Sequence, residues 1–193
     1  MIKKTPSIKD NIAGCLINNS KSKETVYKKF YGYLLAVILR YVNNRNDAEE
    51  LVNDCFIKIF KALNSFASPI NSNETEKAFK GWIAKIASRS AIDFLRSKRN
   101  LILVSELTEY HELIIEVNVI SELNVKDILK LLNVLPVIQR IVFNLYEIDG
   151  FSHTEIAKIL SIPESSSRVY LTRAKSKLRT LYTLTLTNQY ATS

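Results

Sequence analysis

The segment FSHTEIAKILSIPESSSRVYLTRAKSKL, residues 151–178, carries side chains suited to binding a polyanion. Small and apolar residues recur in its second half at i, i+4, i+7 and i+11. These predicted inward positions are Ser167, Leu171, Ala174 and Leu178. The predicted outward positions are Ser165, Ser166, Arg168, Val169, Thr172, Arg173 and Ser176. Arginine can donate two hydrogen bonds to a guanine edge, hydroxyl groups can bind phosphates or bases, and a Val or Thr methyl can contact thymine. The pattern therefore favours a helix face that reads DNA.

The same segment has the helix start and turn signals of a helix-turn-helix. Ser152 and Glu155 match the S-x-x-E capping box at a helix start, and Pro163 predicts the start of a second helix. Ala157 supplies the small residue where the two helices cross. Ser161 stands where the turn usually has glycine, because the backbone there is usually left-handed. Either the serine has a modest conformational cost at this position or the turn differs slightly. Two interpretations stay open at this point: a DNA-reading helix-turn-helix, or the last hairpin of a helical protein with a solvated polar face.

Composition and charge indicate the fold class and the kind of partner. The chain has 193 residues, enough for one domain or two small ones, and only 4 Gly and 4 Pro, which favours an all-α fold. Its net charge is +8. Residues 100–125 contain five Glu and no Lys or Arg, whereas residues 81–99 and 151–182 each carry a net charge of +4. Two basic modules therefore flank an acidic connector, an arrangement suited to a polyanionic partner.

Apolar periodicity predicts the helices that position these side chains. We expect a first helix over residues 25–41 and a third over residues 75–98. Between them, a second helix should begin at an Asn46 cap, with Glu49 as the capping-box partner, and end at about residue 65. A further helix should start at Pro136 and end at the Asp149-Gly150 turn. The acidic connector, with LILVSEL and LIIEVNVI, fits a strand or a short helix locally. We favour extended chain that passes into a helix near Ser121.

The chain shows none of the common catalytic motifs. It has no HExxH, P-loop or GxSxG pattern, and neither His111 nor His153 lies near a cysteine in sequence. His153 falls inside the predicted capping box, which suggests a solvated residue at a helix start. Cys15 and Cys55 suggest two reduced, half-buried thiols. We therefore expect no enzyme, no catalytic residue, no metal site and no cofactor. The N-terminus lacks an apolar signal region, and we expect a cytoplasmic protein.

Four segments in order resemble a known family. They are NDAEELVNDCFIKIFKALNSF, FKGWIAKIASRSAIDFLRSKR, LPVIQRIVFNLYEIDGFSHTEIAKIL and SSSRVYLTRAKSKLR. Together they resemble the bacterial RNA polymerase sigma factors of the extracytoplasmic-function type, in the sigma-70 family, over residues 25–182. The resemblance implies a factor that binds core RNA polymerase, directs promoter-specific initiation at two promoter elements and helps to open the strands.

The resemblance also implies an architecture and partners. The fold would be all-α, with two small helical domains joined by an acidic linker and a helix-turn-helix in the second. We expect an N-terminal extension with a first helix (1–24), a region 2 domain (25–99), the acidic linker (100–121), a region 4 domain (122–184) and a tail (185–193). Partners would be core RNA polymerase, promoter DNA and an anti-sigma factor, which in the family often lies at the membrane. No small-molecule substrate is implied.

An acidic helix face suggests the polymerase-docking surface. Asp47, Glu50 and Asp54 recur at i, i+3 and i+7 and so share one face. Acidic side chains are better suited to contact another protein than to contact the phosphates of DNA. The resemblance implies that this helix docks on a coiled coil of the largest polymerase subunit through Glu50, Asn53 and Asp54. The alternative is a merely solvated face.

The resemblance also implies the residues that contact the minus-ten element. Phe66 matches an aromatic that lies beside a flipped base, and the predicted phosphate or base contacts are Arg89, Arg96, Lys98 and Arg99. Arg89 departs from the family, which commonly has IARN where this chain has IASR, so the base preference is open. Trp82 could assist melting, but its place on the apolar stripe favours the core.

For the minus-thirty-five element the recognition-helix positions are Arg168, Val169, Thr172 and Arg173, with the hydroxyls of Ser165 and Ser166 beside them. Tyr170 and Ser167 depart from the Arg and Val that the family often has. We expect looser packing at Ser161 and Ser167.

The resemblance also suggests a role for the acidic linker. It would thread into polymerase channels as an acidic mimic of nucleic acid, or remain a solvated connector. The competing hypothesis is a stand-alone transcriptional regulator that binds DNA without polymerase.

Overall fold

Only helices and connecting turns occur in the part of the chain that the computed structural model describes, residues 6–67, 69, 72–98 and 131–191. The α-helices with described bounds are α1 (Ile8–Leu16), α2 (Ser20–Leu39), α3 (Arg45–Ala62), α4 (Ser72–Ser97), α5 (Val137–Phe143), α6 (His153–Leu160) and α7 (Glu164–Ala191). Residues 131–133 are helical too. A 3₁₀ turn, Leu63–Ser65, extends α3, and a π-helical segment, Asn144–Ile148, extends α5. The predicted all-α class is confirmed.

The chain divides into two compact units, Met1–Asp93 and Phe94–Ser193. The predicted acidic linker, the predicted helix near Ser121 and the predicted contact Arg99 lie outside the described residues. Helix α7 continues to Ala191, into the segment that we expected as a tail. None of the described helices combines the length and apolar character that crossing a membrane requires.

Two helix starts differ from the expected ones because side-chain caps decide them. Helix α2 begins at Ser20 rather than at residue 25, and the Asn19 side chain accepts a hydrogen bond from the Ser22 amide at 3.0 Å. Helix α3 is capped by Asn44, not by Asn46, because Asn44 Oδ1 accepts from the Asp47 amide at 3.1 Å. The first turns of both helices are polar, so apolar periodicity does not mark them.

The core of the first unit comes from the predicted apolar stripes. Phe30, Ile59 and Phe79 are fully buried, and the rings of Phe30 and Phe79 meet edge-on at 5.1 Å between centroids. Each such side chain contributes about 1.5–3 kcal/mol through its burial. Cys15 and Cys55 are free but buried rather than half-buried, and burial raises the pKa of both thiols.

The second unit packs α5 and α6 against α7. Its buried side chains include Ile141, Leu145, Phe151, Ile156 and Leu171. The predicted turn at Gly150 is present, with φ of +70°. The π-helical segment places Tyr146 towards α6, where its ring stacks on the imidazole of His153 at 4.4 Å between centroids. This packing orients the helix that carries the candidate DNA-binding face.

Candidate functional site

Helices α6 and α7 form the predicted helix-turn-helix. The Ser152–Glu155 capping box is present: Ser152 Oγ accepts from the Glu155 amide at 3.2 Å, and Glu155 Oε2 accepts from the Ser152 amide at 2.8 Å. Ser161 ends α6 in the left-handed conformation, with φ 54° and ψ 44°. The turn therefore has the backbone geometry for which glycine is usual, built on a serine.

Replacing Ser161 with Gly should stabilise the helix-turn-helix by roughly 0.5–1 kcal/mol, because an L-residue in the left-handed region carries a steric cost that glycine lacks. This gain should exceed the loss of the exposed hydrogen bond that Ser161 Oγ accepts from Arg96 at 2.9 Å. Hydrogen exchange of the α6 and α7 amides would measure the change. The matched control is Ser176→Gly on the exposed face of α7, which should destabilise the helix by about 0.5–1 kcal/mol. A destabilised Ser161→Gly variant would contradict the strain argument.

Ser167 and His153 form a buried contact between the two helices. Ser167 is completely buried, and its Oγ lies 2.9 Å from His153 Nδ1. The expectation that His153 is a solvated helix-start residue is therefore wrong: its exposed fraction is 8%. Its place directly after the cap indicated solvent, but this first position of α6 also faces α7. A polar residue at a predicted inward position, here Ser167, was the signal that a buried partner should exist.

The opposite face of α7 is open, as predicted. Val169 is 45% exposed, the side chains of Ser165, Arg168, Thr172, Arg173 and Ser176 are exposed, and Ser166 and Tyr170 are half-buried. The Arg168 guanidinium donates to Glu164 Oε1 at 2.6 Å, and Glu164 also accepts from Thr154 at 2.8 Å. Together with the Arg168 charge, these bonds lower the pKa of the Glu164 carboxyl. Arg173 has no ion pair within the described residues, so its guanidinium is available to a ligand.

An aromatic cluster occupies the predicted minus-ten region. Phe66 follows the 3₁₀ turn, and its half-buried ring lies 5.3 Å from the ring of Phe79 and 5.4 Å from that of Trp82. Trp82 is itself half-buried, so it packs in the cluster and also presents part of its surface. Phe79 and Trp82 therefore support the ring of Phe66, part of which remains at the surface.

Three cations, named here the cations of α4, lie in the second half of α4 or directly after its end. Arg89 and Lys98 are exposed and Arg96 is half-buried. Arg89 and Arg96 are seven residues apart and share one helical face. The Lys98 ammonium lies 4.5 Å from the centroid of the Phe94 ring, which keeps the cation near the end of the helix. Such a row of cations can follow a nucleic-acid backbone.

The acidic face of α3 is exposed as a surface of Glu50, Asn53 and Asp54, with Asp47 half-buried at its start. The Asn53 amide oxygen accepts a hydrogen bond from the Tyr27 hydroxyl at 2.9 Å, which joins this face to α2. One turn further lies Ile57, which is 53% exposed and which the sequence interpretation missed. Its spacing, seven residues after Glu50, indicates that it shares the same helical face, whereas its exposure depends on how the neighbouring helices pack. An apolar side chain beside carboxylates suits a protein partner rather than water alone.

Metal chemistry finds no support in the described segments. Within residues 6–67, 69, 72–98 and 131–191, no three His, Cys, Asp or Glu side chains converge as a metal site requires. The candidate sites are thus the cationic face of α7, the cations and aromatic cluster around α4, and the acidic face of α3.

Comparison with known proteins gives these surfaces a common context. The family model for sigma-70 region 2 matches residues 26–101, and the model for sigma-70 region 4 matches residues 126–178. An extracytoplasmic-function RNA polymerase sigma-E factor of Haemophilus influenzae is 24% identical, over 83% of this chain and 87% of the relative. The extracytoplasmic-function sigma factor SigX of Bacillus subtilis is also 24% identical, over 81% of each chain.

A solved structure shares the fold. It is the sigma factor RpoE of Bartonella quintana, in complex with the anti-sigma factor NepR. The likeness has a TM-score of 0.50 and 22% sequence identity, and it covers 83% of this chain and 96% of that one.

Proposed function

Because the chain belongs to the sigma-70 family of bacterial RNA polymerase sigma factors, in its extracytoplasmic-function type, we propose a division of labour between its two units. The chain is a sigma factor, which binds core RNA polymerase and directs transcription initiation at promoters. The observation that carries this function is the match to region 2 followed by region 4, in that order along one chain.

We assign polymerase docking to the acidic face of α3. Asp47, Glu50, Asn53 and Asp54 form its polar part, and Ile57 adds an apolar contact. Exposed carboxylates supply electrostatic complementarity and orientation, and the exposed isoleucine supplies area that water disfavours. These roles extend the resemblance to residues of this chain.

Minus-ten recognition would use the aromatic cluster and the cations of α4. Phe66, supported by Phe79 and Trp82, offers a surface beside which an unstacked base can lie. Arg89, Arg96 and Lys98, with Arg99 outside the described residues, would contact the backbone or the base. Arg89 presents a fork of donors where the family commonly has an amide, so this position is expected to alter the base preference.

Minus-thirty-five recognition would use the open face of α7. Arg168, Val169, Thr172 and Arg173 would face the major groove, with the hydroxyls of Ser165 and Ser166 near the start of the helix. The ion pair between Arg168 and Glu164 limits the freedom of Arg168. Arg173, which is exposed and unpaired within the described segments, is therefore the strongest candidate for a base contact.

The domain limits, the location and a protein partner of the chain are also part of the proposal. Domain limits at residues 25–99 and 122–184, with an acidic linker at 100–121, correspond to this division. Sigma factors are regulatory proteins rather than enzymes, and we propose no catalytic activity, cofactor or small-molecule substrate. A cytoplasmic location follows because core polymerase and chromosomal DNA lie there in bacteria. The Bartonella quintana protein was solved with an anti-sigma factor, and we propose such a partner here too.

Run-off transcription tests the function directly. Core RNA polymerase with the purified chain should transcribe a subset of a randomised promoter library, and core polymerase alone should not. Copurification with core polymerase separates the sigma factor from a stand-alone regulator. A chain that binds duplex DNA tightly but has no affinity for polymerase would support the regulator instead.

Formation of the promoter complex should decrease steeply with salt. If six cations contact phosphates, the slope of log K against log salt concentration should be roughly −5 on duplex DNA, because each contact releases condensed counterions. Filter binding or fluorescence anisotropy of the holoenzyme between low and moderate salt would measure it. A flat dependence would contradict the assignment of the cationic faces to DNA.

A further inference from the structure

The contact between His153 and Ser167 joins the two helices of the helix-turn-helix by a directed bond. Ser167 is completely buried and His153 nearly so, and Nδ1 and Oγ lie 2.9 Å apart. The bond to Ser167 is at the edge of the imidazole, and a face of the same ring stacks on Tyr146, with 4.4 Å between centroids and 25° between planes. Three successive elements, the π-helical segment, α6 and α7, therefore meet at one side chain.

The His153–Ser167 hydrogen bond is directional, so it can restrict a rotation of α7 on α6 that apolar packing permits. Apolar contacts are non-directional, so a helix can turn slightly on its neighbour without losing them. A rotation of α7 by about 20° would move a side-chain tip about 5 Å from the axis by roughly 2 Å. That displacement exceeds the range over which a hydrogen bond to a base edge survives. Arg168 directly follows Ser167, and Thr172 comes five residues after it, so both would move with any such rotation.

Burial, together with the surrounding charges, favours the neutral form of His153. Burial lowers the pKa of His153, Arg168 and Lys175 on α7 lower it further, and Glu164 on α7 opposes them. On the π-helical segment, Tyr146 stacks on the ring, and Glu147 is paired with Lys175 at 2.6 Å. On α6 itself, Glu155 is engaged in the capping box. The neutral imidazole is favoured, with one ring nitrogen as donor and one as acceptor.

We propose that His153, stacked on Tyr146 and hydrogen-bonded to Ser167, is a positioning residue that fixes the rotation of α7 on α6 and thereby places Arg168, Thr172 and Arg173 on promoter DNA. The inference rests on the proposed function for its DNA partner. The contact itself belongs to the free chain. Its role can therefore be measured with and without polymerase.

Two substitutions at His153 separate positioning from packing. His153→Asn keeps a hydrogen-bonding atom in the place of Nδ1 but loses the ring. His153→Phe keeps a ring but loses the bond. Positioning predicts that the Asn variant is the better of the two, whereas space filling predicts the reverse order. Ser167→Ala removes the same bond from the other side, with little change of volume.

The binding experiment uses holoenzyme and a promoter that the wild-type holoenzyme selects from the randomised library. The readout is the affinity ratio between this promoter and the same DNA with a scrambled minus-thirty-five element. We expect His153→Phe and Ser167→Ala each to lower the ratio about tenfold, as for one lost base contact, and His153→Asn to lower it less than about threefold. Wild-type ratios in the Phe and Ala variants, or a ranking that follows ring retention, would overturn the inference.

A measurement on the free chain does not depend on polymerase. Backbone amide shifts of residues 164–173 should change in His153→Phe and Ser167→Ala and stay near wild type in His153→Asn. Unchanged shifts in the Phe variant would overturn the inference even if promoter binding failed altogether. Failure of the wild-type chain to bind core polymerase would contradict the proposed function alone. The two failures are thus distinguishable.

The pH dependence of stability offers a further readout. Since the folded pKa of His153 lies below its ordinary value of 6.5, the folded chain binds fewer protons than the unfolded chain under acidic conditions. Stability should therefore be lost as the pH falls through 6.5 towards the folded pKa. Subtracting the profile of His153→Phe isolates this contribution, because His111 is common to both chains. A difference profile that rises as the pH falls would contradict the neutral imidazole.

Discussion

Reversing the charges of Glu50 and Asp54 to Lys should abolish binding to core RNA polymerase while the chain stays folded. Both carboxylates are exposed on α3, one helical turn apart, beside the exposed Ile57. Their reversal replaces attraction to a complementary surface by repulsion, which lowers the association rate and costs several kcal/mol when like charges meet. Copurification and native gel shift with core polymerase would measure the loss.

The matched control reverses two carboxylates elsewhere in the same unit. Glu24 on α2 and Glu74 in the first turn of α4 are exposed, and their reversal changes the net charge by the same amount. The Glu24→Lys/Glu74→Lys chain should retain polymerase binding, since a surface ion pair such as Glu24–Lys28 contributes little. Unchanged polymerase binding in the Glu50→Lys/Asp54→Lys chain, or equal loss in the control, would refute the docking face.

Replacing Arg173 with Ala should weaken promoter binding by the holoenzyme by about 1–3 kcal/mol, provided that its guanidinium reads a base. Arg173 is exposed, and within the described residues no carboxylate has to be displaced before it binds. Arg179→Ala is the control, because Arg179 is exposed on the same helix nearly two turns further from the helix-turn-helix. It should change binding only slightly.

The pattern of loss across promoters distinguishes two contacts for Arg173. A base contact predicts a loss that disappears when its base pair is changed, and a relaxed preference at that position. A phosphate contact predicts an equal loss on all promoter sequences and a salt slope reduced by about one. Unchanged affinity on every promoter would exclude Arg173 from the interface.

Local features were predictable from sequence because they depend on neighbours in the chain. The Ser152–Glu155 capping box, the start of α7 at Glu164 and the Gly150 turn all depend on residues within one helical turn. The starts of α2 and α3 were predicted wrongly for a related reason. Several Asn residues compete near each start, and the backbone position of each decides which one caps.

Contacts across helices were not predictable in this way. Ser167 looked like a defect in an apolar stripe, and His153 looked solvated, because each was judged on its own helix. Their partnership across 14 residues of chain depends on how α6 crosses α7. The exposure of Ile57 and the support of Phe66 by Phe79 and Trp82 likewise depend on where neighbouring helices leave space.

The residue order alone accounts for the helical class, the capping box of α6, the alternation of charge along the chain and the family, because periodicity, caps and motif order are properties of the chain itself. Helix packing accounts for the buried His153–Ser167 bond and for the exposure of Ile57 on the acidic face. Burial and hydrogen bonding between distant residues arise only when crossing angles bring side chains within about 3 Å of one another.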